Sequence, residues 1–148
     1  MVTDLEALFP NLRGASYQIT SPQDNNYNCI AWAAADTGHW WWPDTEPAHY
    51  WPPGVVPDET VDAFRAAFAW LGYTPCTLEA LDPDYEKIAL FADPFGGPRH
   101  TARQLPTGRW TSKLGELQDI EHDLRALEGD EYGTVVFLMQ RPTRQQVP

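Results

Sequence analysis

The stretch KIALFADPFGGPRHTARQLPTGRWTSKL, residues 87–114, decides the fold of this 148-residue chain. It holds three short segments, KIALFAD, RHTARQL and RWTSKL, which are separated by Pro, Gly and Asp residues. Short segments bounded by turn-forming residues are typical of strands joined by tight turns. YTPCTL precedes them, and TVVFLMQR follows near the end of the chain, where its apolar character suits the inside of a sheet. The sequence therefore predicts a sheet built from its second half.

An alanine-rich helix is predicted for residues 28–36, NCIAWAAAD. One of three asparagines, Asn25, Asn26 or Asn28, is expected to be its N-cap, because a short polar side chain satisfies the first free amides of a helix. Residues 39–57 follow with five prolines and five large aromatic residues. This composition indicates an ordered loop.

Three other helices are predicted. The clearest begins after Asp58 or Thr60 and ends at Gly72. A short one is expected over residues 3–8, and another over residues 119–129, DIEHDLRALEG. The clearest helix has apolar residues at helical spacing: Val61, Phe64, Phe68 and Leu71. Helices first and strands afterwards describe an α+β domain, with N-terminal helices packed on an antiparallel sheet.

The composition is that of a single globular domain, with 43% hydrophobic and 13% aromatic residues, which is too apolar for a disordered chain. The net charge of −11 argues against nucleic acid and anionic membranes, because both attract basic surfaces. A peptide or protein is the expected substrate or partner. No segment has the length of a membrane helix and the N-terminus lacks a signal-peptide pattern, so a cytoplasmic location is expected.

The two cysteines differ in their surroundings. In a reducing compartment Cys29 and Cys76 are expected to stay free thiols. Their spacing with His39 and His49 does not make a zinc site, and no metal or other cofactor is predicted. Cys76, in YTPCTL, is interpreted as a core residue. Cys29 begins the alanine-rich helix, where free amides and the helix dipole lower the pKa of a thiol.

A cysteine nucleophile also needs a base, and an imidazole is a common one. His39 and His49 lie in the aromatic loop, His122 in the last predicted helix, and His100 near the start of a predicted strand. A cysteine on an early helix followed by a histidine on a later strand is the order found in papain-type enzymes.

The motifs around these residues carry a family resemblance. Gln23 lies six residues before Cys29, Trp32 follows shortly after it, and HTARQL, RWTSKLG and GDEYGTVVFLMQR come later in that order. In this arrangement the chain resembles the papain-like cysteine peptidases, in the broad sense that includes the NlpC/P60 hydrolases, over residues 20–141. YNCIAWA and WTSKLG are also similar to segments of a group of small bacterial proteins, whose activity the resemblance does not supply.

The resemblance implies a compact papain-like domain with four catalytic residues. Cys29 would attack the carbonyl carbon of an amide or thioester, and His100 would accept the thiol proton. Gln23 and the Cys29 amide would hold the oxyanion. Ser112, where the family has Asn or His, would orient His100 through Nδ1 of the ring. The implied activity is that of a cysteine-dependent acyl-transfer hydrolase, either a peptidase or an amidase.

Two alternatives stay open. Ser112 holds no charge, so it orients an imidazole less strongly than a charged partner does. In the first alternative this orientation is too weak for catalysis, and the chain is a non-catalytic binding or regulatory module with the same fold. The same acyl-enzyme chemistry also serves glutamine deamidases and transferases of the effector kind, and the sequence does not separate these from hydrolases.

Aromatic residues near the cysteine offer a substrate wall, because flat rigid rings bind peptides or sugars at low entropic cost. Trp32 and Trp42 are the candidate substrate-binding residues, while most of the other aromatic side chains are expected to cap the core. His122 is expected to pack locally in a helix. Residues 116–123 are expected to form a solvated acidic face.

Overall fold

A computed structural model of the chain describes residues 5–21, 26–44, 48–114 and 118–143. Over these residues the chain is a mixed α+β domain, as the sequence predicts. Its helices are α1 (Leu5–Leu8), α2 (Cys29–Ala33) and α3 (Val61–Trp70), with 3-10 turns at Pro10–Leu12 and Leu124–Leu127. In the described part of the chain, no helix has the length and apolar character needed to cross a membrane.

The strands form one large antiparallel sheet and a small parallel pair. Their bounds are β1 (Gln18–Ser21), β2 (Trp40–Trp41), β3 (His49–Tyr50), β4 (Thr74–Cys76), β5 (Tyr85–Ala92), β6 (Pro98–Gln104), β7 (Trp110–Lys113), β8 (Asp119–His122) and β9 (Thr134–Pro142). The large sheet has the order β1-β8-β7-β6-β5-β9-β4. Residues 87–114 therefore form its centre, and β9 lies inside the sheet as its apolar sequence predicts.

The two faces of the sheet bury separate apolar clusters, because side chains alternate along each strand. On one face, α2 and α3 cover Ile88, Leu90 and Met139. On the other face, α1 and the two 3-10 turns cover Ala89 and Phe91. Each large side chain buried in this way contributes about 2 kcal/mol to stability. The sheet is thus enclosed on both sides near its centre.

Asn28 caps α2 and is the one of the three predicted asparagines that does so. Its Oδ1 accepts from the Ala31 amide at 3.1 Å and from the Trp41 amide at 3.1 Å, and its Nδ2 donates to the Trp41 carbonyl at 2.7 Å. One side chain therefore starts the helix and holds the aromatic loop against it. The helix ends at Ala33, three residues earlier than predicted, and Ala35 adopts a left-handed φ of 62°.

The predicted helix over residues 119–129 is wrong. Residues 119–122 form β8, which pairs with β7 and with β1, and a 3-10 turn follows at Leu124–Leu127. Apolar residues at helical spacing suggested a helix, but the strand hydrogen-bonds to two neighbours and these contacts outweigh local propensity. The expected acidic face is wrong for Asp119, which is buried, whereas Glu121 is partly exposed and Asp123 is exposed.

The aromatic loop covers the core next to α3, as expected for most of its residues. Trp41 is buried and donates from Nε1 to Asp36 at 2.8 Å. The ring of Tyr50 lies 4.7 Å from that of Trp41, and the ring of Trp51 lies 5.2 Å from that of Phe64. The prolines and aromatic side chains of this loop therefore cover part of the sheet that the short helix α2 leaves uncovered.

Candidate active site

β6 and β7 separate from each other at one end, and this separation, which is called the opening below, is surrounded by almost fully buried side chains. Among the described residues, the two strands pair only where residues 103–104 meet residues 110–111. Beyond that point β6 carries His100 and β7 carries Ser112. The N-terminal end of α2 packs over the same two strands. The opening therefore gathers the first residue of α2 and the unpaired ends of both strands.

Cys29 lies at this opening as the first residue of α2, and only 6% of its surface is exposed. Burial raises the pKa of its thiol to about 11. The backbone amides of Thr101, Ile30 and Cys29 itself, and the charge of Lys113, act in the opposite direction but more weakly. The expected lowering of the thiol pKa is therefore wrong. A five-residue helix is too short to offset the loss of water around the sulfur.

Iodoacetamide is expected to alkylate Cys76 about ten times faster or more than Cys29 at pH 8, because the thiolate is the reactive form. Cys29 is buried, whereas Cys76 is half-buried on β4. Peptide mapping by mass spectrometry measures both rates in one sample. In urea the two rates should become similar, which controls for local sequence. Faster reaction of Cys29 in the folded protein would contradict the raised pKa.

Ser112 joins two histidines in a buried hydrogen-bonded chain. His122 Nδ1 lies 2.7 Å from the Asp123 carbonyl oxygen, which only accepts, so Nδ1 carries the proton. Burial lowers the pKa of His122 to about 4, so the ring is neutral at pH 7. Its Nε2 is therefore an acceptor, and the Ser112 hydroxyl donates to it at 2.7 Å.

The same chain sets the tautomer of His100. Because the Ser112 proton is already used, Ser112 Oγ accepts from His100 Nε2 at 2.9 Å. Burial, and then the charge of His122, holds the pKa of His100 well below its ordinary value, so this ring is neutral as well. Nδ1 then carries a bare lone pair, and it has no hydrogen-bond partner among the described residues. The contact with Ser112 is present but uses Nε2, so the predicted contact through Nδ1 is wrong.

Tyr132 fixes the plane of the His100 ring. The two rings are parallel within 4°, with centroids 4.0 Å apart, and Phe91 meets His100 edge-on at 5.2 Å. Burial, and then the charge of Cys29, raises the pKa of Tyr132 well above its ordinary value. Tyr132 therefore lies within electrostatic reach of Cys29 while it stacks on His100. The sequence reasoning missed this role, although GDEYG is part of the motif that it singled out.

Cys29 and His100 both lie beside the opening, but no hydrogen bond joins them. Along β6, His100 points to the face that α1 covers, whereas Cys29 belongs to the cluster on the face of α2. The structure therefore places the two residues on different faces of the sheet. Gln23, the predicted oxyanion residue, lies outside the described residues.

The two candidate substrate-binding tryptophans lie in different places. Trp32 is on α2, where its Nε1 donates to Thr111 Oγ1 at 3.0 Å. Trp42 donates from Nε1 to Glu59 at 3.0 Å and meets the ring of Phe64 edge-on at 5.9 Å. Trp32 thus contacts β7 close to the opening, whereas Trp42 packs on α3.

Two buried charged residues near Cys29 were not predicted as part of the site. Lys113 on β7 is fully buried, pairs across strands with Asp119 and places its Nζ 5.2 Å from the centroid of the Tyr27 ring. Tyr27 donates its hydroxyl proton to Asp119 at 2.9 Å. A lysine inside the predicted strand RWTSKL is the sequence signal that points to this cluster. Among the described residues, no group of three metal-ligating side chains occurs.

A family comparison covers this whole region. The model of a domain of unknown function, DUF7689, matches residues 18–140. The chain belongs to the DUF7689 family. No curated protein and no solved structure matches it. The part shared with the DUF7689 model contains α2 and β5 to β8, and so every described residue of the opening.

The buried histidines make stability depend on pH in this DUF7689 protein. Burial lowers the pKa of His122 from 6.5 to about 4 in the folded state. Between these values the unfolded chain binds more protons, so acidification favours unfolding. The contribution is complete above pH 6.5 and is lost as the pH falls towards 4. His122 alone is expected to lower the free energy of unfolding by about 3 kcal/mol over this range.

Urea unfolding at pH 7, 5.5 and 4.5 measures this effect. His122→Gln is expected to reduce the dependence on pH, because one of the two buried histidines is gone while His100 remains. His49→Gln, on β3, is the comparison variant, because it removes a histidine outside the buried chain of His100, Ser112 and His122. An equally steep loss of stability in His122→Gln would show that other groups cause it.

Proposed function

We propose that this chain is a cysteine-dependent acyl-transfer enzyme with a papain-like core, in which Cys29 is the nucleophile and His100 the general base. The observation that carries the proposal is the unpartnered Nδ1 of His100. Ser112 and Tyr132 hold the ring in one orientation and tautomer, which leaves the basic nitrogen free to accept a proton. A buried, oriented and neutral imidazole with a bare nitrogen is what general-base catalysis needs.

In the first step, the sulfur–carbon bond forms as the thiol proton is transferred. The sulfur of Cys29 attacks the carbonyl carbon while its proton moves to His100 Nδ1, giving a tetrahedral intermediate. The leaving group departs with the proton from Nδ1, and a thioester remains on Cys29. Water then attacks the thioester as Nδ1 takes one of its protons, which returns to sulfur as the acid is released. Gln23 and the Cys29 amide are the proposed oxyanion donors.

The thiol stays protonated until a substrate binds, since its pKa is raised to about 11 and the imidazole is neutral. Before substrate binds, Cys29 and His100 are therefore both neutral, as the serine and histidine of a serine hydrolase are, and they do not form a thiolate–imidazolium pair. The charge of Lys113 and the amide of Thr101, which favour the thiolate, stabilise the sulfur as its proton leaves. Closure of the sulfur onto Nδ1 is part of the proposal, because catalytic hydrogen bonds often tighten only when substrate is bound.

The proposed substrate is an amide of a peptide or protein, with hydrolysis as the first reaction. Deamidation and acyl transfer share the same thioester and differ only in the nucleophile that breaks it. The two cysteines are free thiols, which fits a reducing compartment such as the cytoplasm as the place of action. Trp32, next to the opening, is the proposed substrate contact.

Acylation by p-nitrophenyl acetate tests the proposal, because this small ester needs no specific pocket. Mass spectrometry of the quenched protein should reveal an acetyl group on Cys29, because His100 Nδ1 and the oxyanion donors assist attack on an ester carbonyl, whereas alkylation by iodoacetamide forms no oxyanion and gains nothing from those donors. Cys76 in the same sample is the internal control. Acetylation confined to Cys76, or none on either cysteine, would overturn the proposal.

A second candidate is a non-catalytic binding module, which the buried and protonated thiol favours. In that case Cys29 is a core residue and the histidine chain only stabilises the sheet. Absence of acetylation at Cys29, in a protein whose stability still depends on pH through His122, is the result that this candidate predicts.

A further inference from the structure

A groove of about 350 Å³ lies at the C-terminal end of β6, and Ala35, just beyond the C-terminal end of α2, also lines it. Its walls are largely apolar and include Leu81, Pro83, Tyr85, Leu105 and Pro106. Cys29 and His100 do not line it. The groove is therefore separate from the opening at the other end of β6.

The groove contains a guanidinium group with no carboxylate in direct contact. Among the residues that the structure describes, Arg103 makes no ion pair within 4.0 Å and its buried Nε has no acceptor, while Glu86 and Asp119 attract its charge only from farther away. Arg141 also lines the groove but is satisfied, since it donates to Glu86 at 2.7 Å and to the Leu71 carbonyl at 2.9 Å. A partly buried guanidinium whose Nε has no acceptor costs the fold free energy, so stability alone does not explain Arg103.

Packing holds Arg103 in place without using its donors. Its guanidinium carbon lies 5.1 Å from the centroid of the Trp32 ring. A guanidinium over an aromatic face is attracted by its charge, and its N–H groups need not take part in that contact. Burial lowers the pKa of Arg103, which is the mark of a charge held away from water. The group is thus oriented in advance for a ligand.

We propose that this groove binds a small monoanionic carboxylate with an apolar body, and that Arg103 receives the carboxylate. The planar fork of a guanidinium matches the two oxygens of a carboxylate. Glu86 and Asp82 also line the groove, and the chain carries a net charge of −11. These negative charges disfavour a dianion such as a phosphate monoester more than a single carboxylate. The apolar walls bind the rest of the ligand.

Three related compounds test the site on the full chain: 3-phenylpropionate, its neutral amide and phenyl phosphate. Isothermal titration should detect 3-phenylpropionate at millimolar concentrations or below, with the amide and the phosphate each binding about ten times more weakly or worse. The comparison does not depend on any mutation. Equal binding of the acid and the amide, or no binding of the acid at about 10 mM, would overturn the proposal.

Arg103→Met keeps the length of the side chain and removes its charge. It is expected to weaken binding of 3-phenylpropionate at least tenfold, and Arg103→Lys to weaken it less. Arg65→Met is the matched control, because Arg65 also stacks on an aromatic ring, 4.8 Å from Phe137, but does not line the groove. Equal affinity in Arg103→Met and the unmodified chain would overturn the assignment. Cys29→Ala should bind normally, since this site does not depend on the proposed cysteine chemistry.

Discussion

Replacing Cys29 by alanine is expected to abolish the acylation of the protein by p-nitrophenyl acetate, and His100→Gln is expected to slow it by about 100-fold or more. The first change removes the nucleophile. The second removes the basic nitrogen, while the amide of glutamine can still donate to Ser112 in place of Nε2. The release of p-nitrophenolate, followed by absorbance under single-turnover conditions, measures both effects.

Cys76→Ala and His39→Ala are the matched controls. Cys76 lies on β4 at the edge of the sheet, and His39 is an exposed residue paired with Asp36. Neither touches the opening, so both variants should react within about twofold of the unmodified chain. Unchanged acylation in His100→Gln, with folding verified by circular dichroism, would remove His100 from the mechanism even if Cys29 reacts.

Gly133→Ala is expected to destabilise the fold by about 4 kcal/mol or more. Gly133 has a φ of 75°, and a Cβ there would lie 1.9 Å from the Ala92 carbonyl oxygen. The Ala92 carbonyl belongs to the backbone, so it cannot move away from the new Cβ as the end of a flexible side chain could. Gly133 also exchanges two backbone hydrogen bonds with Gly129, at 2.8 and 3.0 Å, so it is held on both sides. A shift there would move Tyr132, its neighbour, away from the His100 ring.

Gly96→Ala separates the clash from the backbone conformation. Gly96 has a similar φ of 84°, but nothing lies within 4 Å of the position of a Cβ. Only the left-handed conformation is penalised there, at about 1 kcal/mol. Urea unfolding of the two variants should therefore give clearly different midpoints. Equal midpoints would contradict the close contact with Ala92.

The central strands could be predicted because their boundaries are local. Turn-forming residues interrupt residues 87–114 at short intervals, and β5, β6 and β7 lie between those turns. β8 could not be predicted in this way, because its sequence also has helical spacing. Its partner β1 lies about a hundred residues earlier in the chain, and a contact at that distance leaves no periodic signal in either segment.

The sequence could propose members of the candidate site but not its electrostatics. The order of motifs picks out Cys29, His100 and Ser112, and the structure joins His100 to Ser112 by a hydrogen bond while Cys29 belongs to the cluster on the other face. The burial of Cys29 depends on the loop and strands that cover it, so the direction of its pKa shift could not be read from a helix start. Lys113 and Tyr132 enter the site through sheet register and ring stacking, which also need the folded chain.

The tautomer of His100 is the most direct test of the account, because the proposed base is the bare Nδ1. Nitrogen-15 NMR of the histidine-labelled protein at pH 7 reports the protonation of each ring nitrogen, and His100→Gln identifies the signals of His100. We expect a protonated Nε2 and an unprotonated Nδ1 that persist well below pH 6.5, because burial keeps this ring neutral. A protonated Nδ1 at pH 7, with or without a proton on Nε2, would contradict the account.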